Sequence, residues 1–278
     1  MPTSEETLIR KARRTIFLLA DAHLGAQSGP SAQDEHSRLF SFFDYLRMQP
    51  DAQLIICGDL FDFWFEYRHV VPAQHYRVLA QLANLVASGI EVDYIAGNHD
   101  FWLGSFLARD VGITIHRDDM ELTQAGKRIY LRHGDGLMKK DRLYRAMKAV
   151  LRNRLAVILY RLLHPDLGIP VALFFSHLSR ESARNKAHTD RDYRHYAYDR
   201  LDAGYDIVVL GHSHIAALER RENGVYLNPG YWRCHFTFAR IDDGTPHLLR
   251  WDGSQAHPCV SNGVDTMIAS IFQVNTRE

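Results

Sequence analysis

Six short apolar runs punctuate the chain, and each breaks off into glycine, aspartate, asparagine or histidine. They are TIFLLADAH (15–23), QLIICGD (53–59), VDYIAGNHD (92–100), RIYLRHGD (128–135), DIVVLGHSH (206–214) and VYLNPG (225–230). Unbroken apolar runs of this length suit strands covered on both faces, the situation of a layered α/β protein. Between the first three runs the apolar period lengthens. Ser37 to Met48 sets Leu39, Phe42, Phe43 and Leu46 on one helical face, and Gln74 to Ala87 does the same with Leu79, Leu82, Leu85 and Val86. Strand, helix, strand alternation predicts a doubly wound α/β sheet whose functional loops follow the strand ends.

The rhythm stops between Asp135 and Asp206. Helices are expected over Leu143 to Leu163, Val171 to Ala183 and Tyr193 to Leu201, with HPDLGIP (164–170) as a break and no strand. This predicts an α/β core from 1–135 and 204–278, interrupted by a helical cap over 136–203. The insertion is basic, with 14 Lys plus Arg against 7 Asp plus Glu, although the chain as a whole is balanced at 33 against 33. A zero total argues against a nucleic-acid coat. The three cysteines, Cys57, Cys234 and Cys259, form no CxxC pair, so neither a disulfide framework nor a thiolate zinc site is expected. The first apolar stretch, Ile16 to Ala20, is too short for a signal core of about 7–15 residues, and no run reaches the ~18 residues of a membrane span. A cytoplasmic protein is expected, and the tail after Trp251 carries no readable element.

The polar strand ends form an ordered series: Asp21-x-His23, Gly58-Asp59, Gly97-Asn98-His99-Asp100, His133-Gly134-Asp135 and Gly211-His212-Ser213-His214. Aligned strands would bring all five to one edge. Carboxylates, imidazoles and an amide oxygen suit divalent ions of intermediate hardness. Seven ligands exceed what one ion needs, and two ions sharing a carboxylate would use them economically.

This series resembles the calcineurin-like metallophosphoesterases, whose pattern is D-x-H, G-D, G-N-H-D/E, H-G and G-H-x-H. The resemblance implies a four-layer αββα sandwich with a dinuclear centre at one edge, in place of the simpler doubly wound sheet. One metal would take Asp21, His23, Asp59 and His214, and the other Asp59, Asn98, His133 and His212. Two Mn2+ ions are expected, with iron or zinc also suited to the ligand set. Water activated between the ions would attack phosphorus. His99 would contact the phosphate and protonate a leaving oxygen, with Asp100 as its orienting partner. Asn98 would face the substrate as well as a metal.

GDLFDFWFEY (58–67) and GNHDFWLG (97–104) are similar to the corresponding stretches of the UDP-2,3-diacylglucosamine diphosphatases of lipid A biosynthesis. Those enzymes release UMP and a diacylglucosamine 1-phosphate, and carry an acyl-binding helical cap between H-G-D and G-H-x-H. The apolar stretches 155–163 and 171–175 and the basic excess fit such a cap, and also fit a peripheral position on the anionic cytoplasmic leaflet of an inner membrane. SRESARNKAH (179–188) resembles the segment that holds the head group, which points to Arg184, Asn185 and Lys186. One departure stands out: the best-known form of that enzyme has G-N-R-D where this chain keeps His99. The alternatives are a related enzyme acting on another nucleoside diphosphate derivative or a phosphodiester, and a scaffold that has lost catalysis. Retention of all seven ligands and His99 weighs against the scaffold.

Overall fold

A computed structural model describes residues 10–11, 13, 15–26, 30–137, 142–173 and 189–259. Two sheets face each other. One has seven strands in the order β13-β12-β11-β2-β3-β4-β5, the other six in the order β1-β6-β7-β8-β10-β9. The strands are β1 (Arg10–Lys11), β2 (Thr15–Leu19), β3 (Ala52–Ile56), β4 (Glu91–Ile95), β5 (Thr114–His116), β6 (Asp119–Gln124), β7 (Lys127–Arg132), β8 (Ile207–Leu210), β9 (Ala217–Arg221), β10 (Gly224–Asn228), β11 (Thr237–Asp242), β12 (Thr245–Trp251) and β13 (Ala256–Pro258). All six apolar runs are strands. The run β2 to β5 is parallel, as are β7, β8 and β10.

Alternation along β2 explains why such runs are apolar throughout. Ile16 and Leu18 point between the sheets, where they meet Leu131, Ile207, Val209 and Leu227. Phe17 and Leu19 point outward onto α1 (Pro30–Arg47) and α2 (Tyr76–Ala87), against Leu39, Phe42 and Leu82. The second sheet's outer face is covered by α6 (Thr189–Asp202), whose Tyr193, Ala197 and Leu201 bury with Tyr130, Val208 and Tyr226. Helix, sheet, sheet, helix is the expected four-layer sandwich.

Among the described residues of the 136–203 segment lie three more helices: α3 (Arg142–Leu151), α4 (Arg154–Arg161) and α5 (165–173). Three expectations are corrected here. The helix expected from Leu143 to Leu163 is split, because Asn153 leaves the helical conformation and caps α4 by accepting from the Leu155 N–H at 2.8 Å. HPDLGIP is not a break along its length: Pro165 occupies the first turn, where its missing N–H costs nothing, and α5 runs on from it. Although α6 was expected as part of the cap, it is a layer of the sandwich. The head-group residues expected at Arg184, Asn185 and Lys186 lie outside the described residues.

Candidate metal centre

Register brings the motifs together. Leu19 of β2 lies beside Ile56 of β3, Ile56 beside Tyr94 of β4, and Arg132 of β7 beside Leu210 of β8. The residues just beyond these ends share one edge of the sandwich. Glycine permits the closeness there. A Cβ on Gly97 would stand 2.0 Å from Oδ1 of Asp59, and one on Gly58, at φ +90°, 2.4 Å from Nδ1 of His133.

Three overlapping groups of side chains could each hold an ion: Asp21, His23 and His214; His23, Asp59 and His99; and Asp59, His133 and His212. On the first side Nε2 of His214 is 3.4 Å from Oδ1 of Asp21 and 3.2 Å from Nε2 of His23. On the other, Nε2 of His133 is 3.3 Å from Oδ2 of Asp59, 3.1 Å from Oδ1 of Asn98 and 3.2 Å from Nδ1 of His212. Asp59 Oδ2 lies between the two sides, 3.8 Å from Nε2 of His23. Donor atoms placed about 2.1 Å from a common ion would stand about 3.4 Å apart, so these spacings suit a coordination shell.

The carboxylates carry the clearest mark of a cation site. Asp21 Oδ2 accepts from the His212 N–H at 3.0 Å and Asp59 Oδ1 from the His99 N–H at 2.9 Å. Their other oxygens, Asp21 Oδ1 and Asp59 Oδ2, are fully buried and accept no hydrogen bond. An unsatisfied buried carboxylate oxygen is costly, and two aimed into a ring of imidazole nitrogens fit divalent cations. The backbone carries the same mark. Asp21, His23, Asp59, His212 and His214 all take left-handed φ values between 46° and 63°, a strain that non-glycine residues accept at functional sites. The His133 Nδ1–H donates to the Cys57 carbonyl at 2.8 Å, which leaves Nε2 as the ligating nitrogen.

The electrostatics follow from burial. Desolvation would raise the Asp59 carboxyl, but His133, His99 and His23 overcome it and hold it well below the usual range. Desolvation would likewise lower His133, yet Asp59 and Asp21 push it up to about 10, while burial and then His133 press His212 down to about 4.

His99 sits with its ring edge-on to His23, 4.7 Å between centroids. Its orienting partner is not Asp100, which corrects the expectation. Asp100 is fully buried and turned the other way, accepting from the Gly97 N–H at 2.8 Å, the Phe61 N–H at 3.3 Å and the Tyr94 hydroxyl. Burial, then Asp59, raises it to about 6. It ties the third motif to the core. The partner is Asp62: His99 Nδ1 lies 3.0 Å from its carbonyl oxygen and 3.8 Å from its Oδ1, which also approaches His23 Nδ1 at 3.5 Å. Its signal was in view in the sequence, three residues after Asp59 in GDLFD.

Other contributors carry no motif. Asn228 at the end of β10 donates to Ser213 Oγ at 2.9 Å and braces the 211–214 loop. Tyr231 stacks on His214 at 4.1 Å and 10°. Lys148 of α3 pairs with buried Asp135, and the Trp102 indole donates to the Leu151 carbonyl at 2.9 Å while stacking on Tyr160 of α4 at 5.0 Å. The aromatic residues after the second and third motifs are thus the bed on which α3 and α4 rest.

Residues 14–216 match the calcineurin-like phosphoesterase model. The chain is 30% identical over 256 residues to a UDP-2,3-diacylglucosamine hydrolase of Porphyromonas gingivalis (strain ATCC BAA-308 / W83), covering 85% of this chain and 97% of that one. It is 30% identical over 265 residues to the hydrolase of the same name from Edwardsiella ictaluri (strain 93-146), covering 92% and 98%. The matched span contains all five strand-end motifs, and the chain belongs to the calcineurin-like phosphoesterase family of hydrolytic enzymes.

Proposed function

We propose that this phosphoesterase cleaves the pyrophosphate bond of UDP-2,3-diacylglucosamine, giving UMP and 2,3-diacylglucosamine 1-phosphate in lipid A biosynthesis. The observation that carries the substrate is the apolar face beside the metal edge. On α4 and the turn that follows it, Leu155, Ile158, Leu159, Leu162 and Leu163 are between 46% and 78% exposed. A cap over roughly 136–188 that leaves this much apolar surface open suits acyl chains, and the relatives' names point to the same lipid.

Asp21, His23, Asp59 and His214 would hold one divalent ion, and Asp59, Asn98, His133 and His212 the other, Mn2+ being the expected occupant. When bound, such ions supply Lewis acidity to the phosphate oxygens and activate water near neutral pH. The protein's own part is to aim and to move protons. Asp62 fixes the His99 ring through Nδ1, which directs Nε2 to a phosphate oxygen and lets it donate to the leaving group. A leaving phosphate has a second pKa of about 6 and needs little protonation, so a histidine here and an arginine in relatives serve the same bond. A phosphodiester with an alkoxide leaving group would need His99 more, and this favours that substrate class as the second reading.

No helix among the described residues is long and apolar enough to cross a membrane. The open apolar face, with Arg152, Arg154 and Arg161 close by in sequence, supports peripheral binding at the cytoplasmic leaflet.

Phosphorus NMR of UDP-2,3-diacylglucosamine with the protein and manganese in oxygen-18 water tests the reading. UMP and the 1-phosphate should appear, one of them carrying the heavy oxygen. An intact lipid substrate, with bis(p-nitrophenyl) phosphate hydrolysed under the same conditions, would move the assignment to the phosphodiester reading.

A further inference from the structure

A cavity of about 790 Å3 opens where the cap meets the core, and none of the seven residues expected to hold metal lines it. That size suits a molecule rather than a bare ion. One wall is the loop after the second motif, where the Tyr67 N–H donates to the Val70 carbonyl at 3.2 Å and leaves Arg68 and His69 at the tip of the turn. Arg161, the last residue of α4, forms another wall, and its guanidinium donates to the Glu66 carbonyl oxygen of that loop at 3.4 Å. Residues between Gly104 and Asp110 complete the lining.

The charges along these walls do not cancel in place. Arg109 pairs with Asp110 at 2.8 Å. The Glu66 carboxylate, 6% exposed, is engaged from the core side: it accepts from the Trp64 indole at 3.3 Å and from the Phe106 N–H at 2.9 Å. Neither Arg68 nor Arg161 has a carboxylate within ion-pair distance among the described residues. Two guanidiniums therefore border one cavity with most of their donors open. Such a planar fork of N–H groups matches the oxygens of a phosphate.

The surface beside these arginines is apolar. Val70 is 49% exposed, and Leu162 and Leu163, which follow Arg161, are 78% and 46% exposed. A phosphate free in water gains nothing from such neighbours, whereas a lipid headgroup brings acyl chains with it. Cations that take phosphate, set beside valine and leucine that enter the acyl boundary, match the chemistry of an anionic bilayer surface.

We infer that this cavity takes the phosphate of an anionic phospholipid, with Arg68 and Arg161 on its oxygens, while Val70, Leu162 and Leu163 enter the leaflet. This rests on the peripheral placement proposed above and gives it a defined headgroup site, filled by a membrane lipid other than the substrate.

Co-sedimentation of the full-length protein with vesicles of phosphatidylcholine, with and without phosphatidylglycerol, tests it. Partitioning should be stronger where phosphatidylglycerol is present. Arg68→Gln, which breaks no ion pair among the described residues, should weaken that partitioning about fivefold, and Arg68→Gln with Arg161→Gln about 25-fold, the effect of one and two charges at an anionic surface. Arg220→Gln with Arg250→Gln removes the same charge from exposed positions on β9 and β12 outside the cavity, and should change partitioning less than about twofold because distant charges are screened. Inorganic phosphate matched in concentration to the phosphatidylglycerol, with chloride at equal ionic strength as the control, should not displace the protein. Displacement would make the cavity a site for soluble phosphate and overturn the lipid. If the parent prefers anionic vesicles and the cavity variants behave like the control pair, or if it binds both vesicles equally, the headgroup site is refuted while the peripheral reading stands. If the parent binds neither vesicle, the peripheral reading falls and the headgroup site with it.

Discussion

Leucine has opposite fates in two parts of this molecule. In the sandwich Leu18, Leu54 and Leu210 are fully buried, whereas on α4 and the turn that follows it Leu155, Leu159 and Leu162 are 63%, 57% and 78% exposed. The first set is held inside by the fold it stabilises. The second is presented by a helix that gains little from it, which is the arrangement expected where the apolar partner comes from outside the chain. The core therefore gathers the side chains that could hold metal at one edge, and on the proposed function the cap offers surface to the acyl chains of the substrate.

The sharpest test of the core's half is Asp59→Ala. It should lower metal-dependent hydrolysis at least about 10^3-fold, because the carboxylate proposed to serve both metal positions is lost. Circular dichroism should show an intact fold; a turnover number within tenfold of the parent would refute the shared-carboxylate assignment. On the proposed role of His99, Asp62→Asn keeps the backbone carbonyl 3.0 Å from Nδ1 and removes only the carboxylate charge at 3.8 Å, so it should cost about tenfold in kcat with KM little changed. Steady-state kinetics with a change in the pH–rate profile would separate this from a general loss of folding.

The cap's half is tested by contrast. Leu54→Ala should destabilise the protein by about 2–5 kcal/mol in urea unfolding. Ile158→Gln with Leu162→Gln should stay within about 0.5 kcal/mol per site yet raise KM for the diacylated substrate far more than for bis(p-nitrophenyl) phosphate. Equal changes in the two KM values would remove the acyl role. The smallest effect concerns pH. Burial raises Glu35 to about 7 from an ordinary 4.5, opposed by Arg233. The native state thus favours the protonated acid, and its contribution to stability is complete below about 4.5 and lost as pH rises through about 7. Melting temperatures between pH 5 and 8.5 should fall less steeply in Glu35→Gln than in the parent.

The sheets were legible because burial on both faces leaves an unmistakable apolar run, and the metal edge because each run ends in a ligand type. The later strands were harder. β9, β12 and β13 lie toward sheet margins and mix charged with apolar residues, as in Ala217-Leu218-Glu219-Arg220-Arg221, so no continuous run marks them. The split at Asn153 turns on one capping side chain, which a 3.6-residue period across 143–163 does not reveal. Asp100 misled because adjacency suggests partnership. Along an extended or turning backbone neighbouring side chains diverge, and the partner of His99 came from 37 positions earlier.

The left-handed backbone at Asp21, His23, Asp59, His212 and His214 has a consequence for how this edge can evolve. Glycine would relax the conformation at any of the five at no steric cost, so losing a ligand there can make the metal-free protein more robust to heat. On the proposed ligand assignment, stability and activity pull in opposite directions at these positions. Lineages released from selection for hydrolysis should discard these ligands first, before the apolar residues that hold up the sheets beneath them.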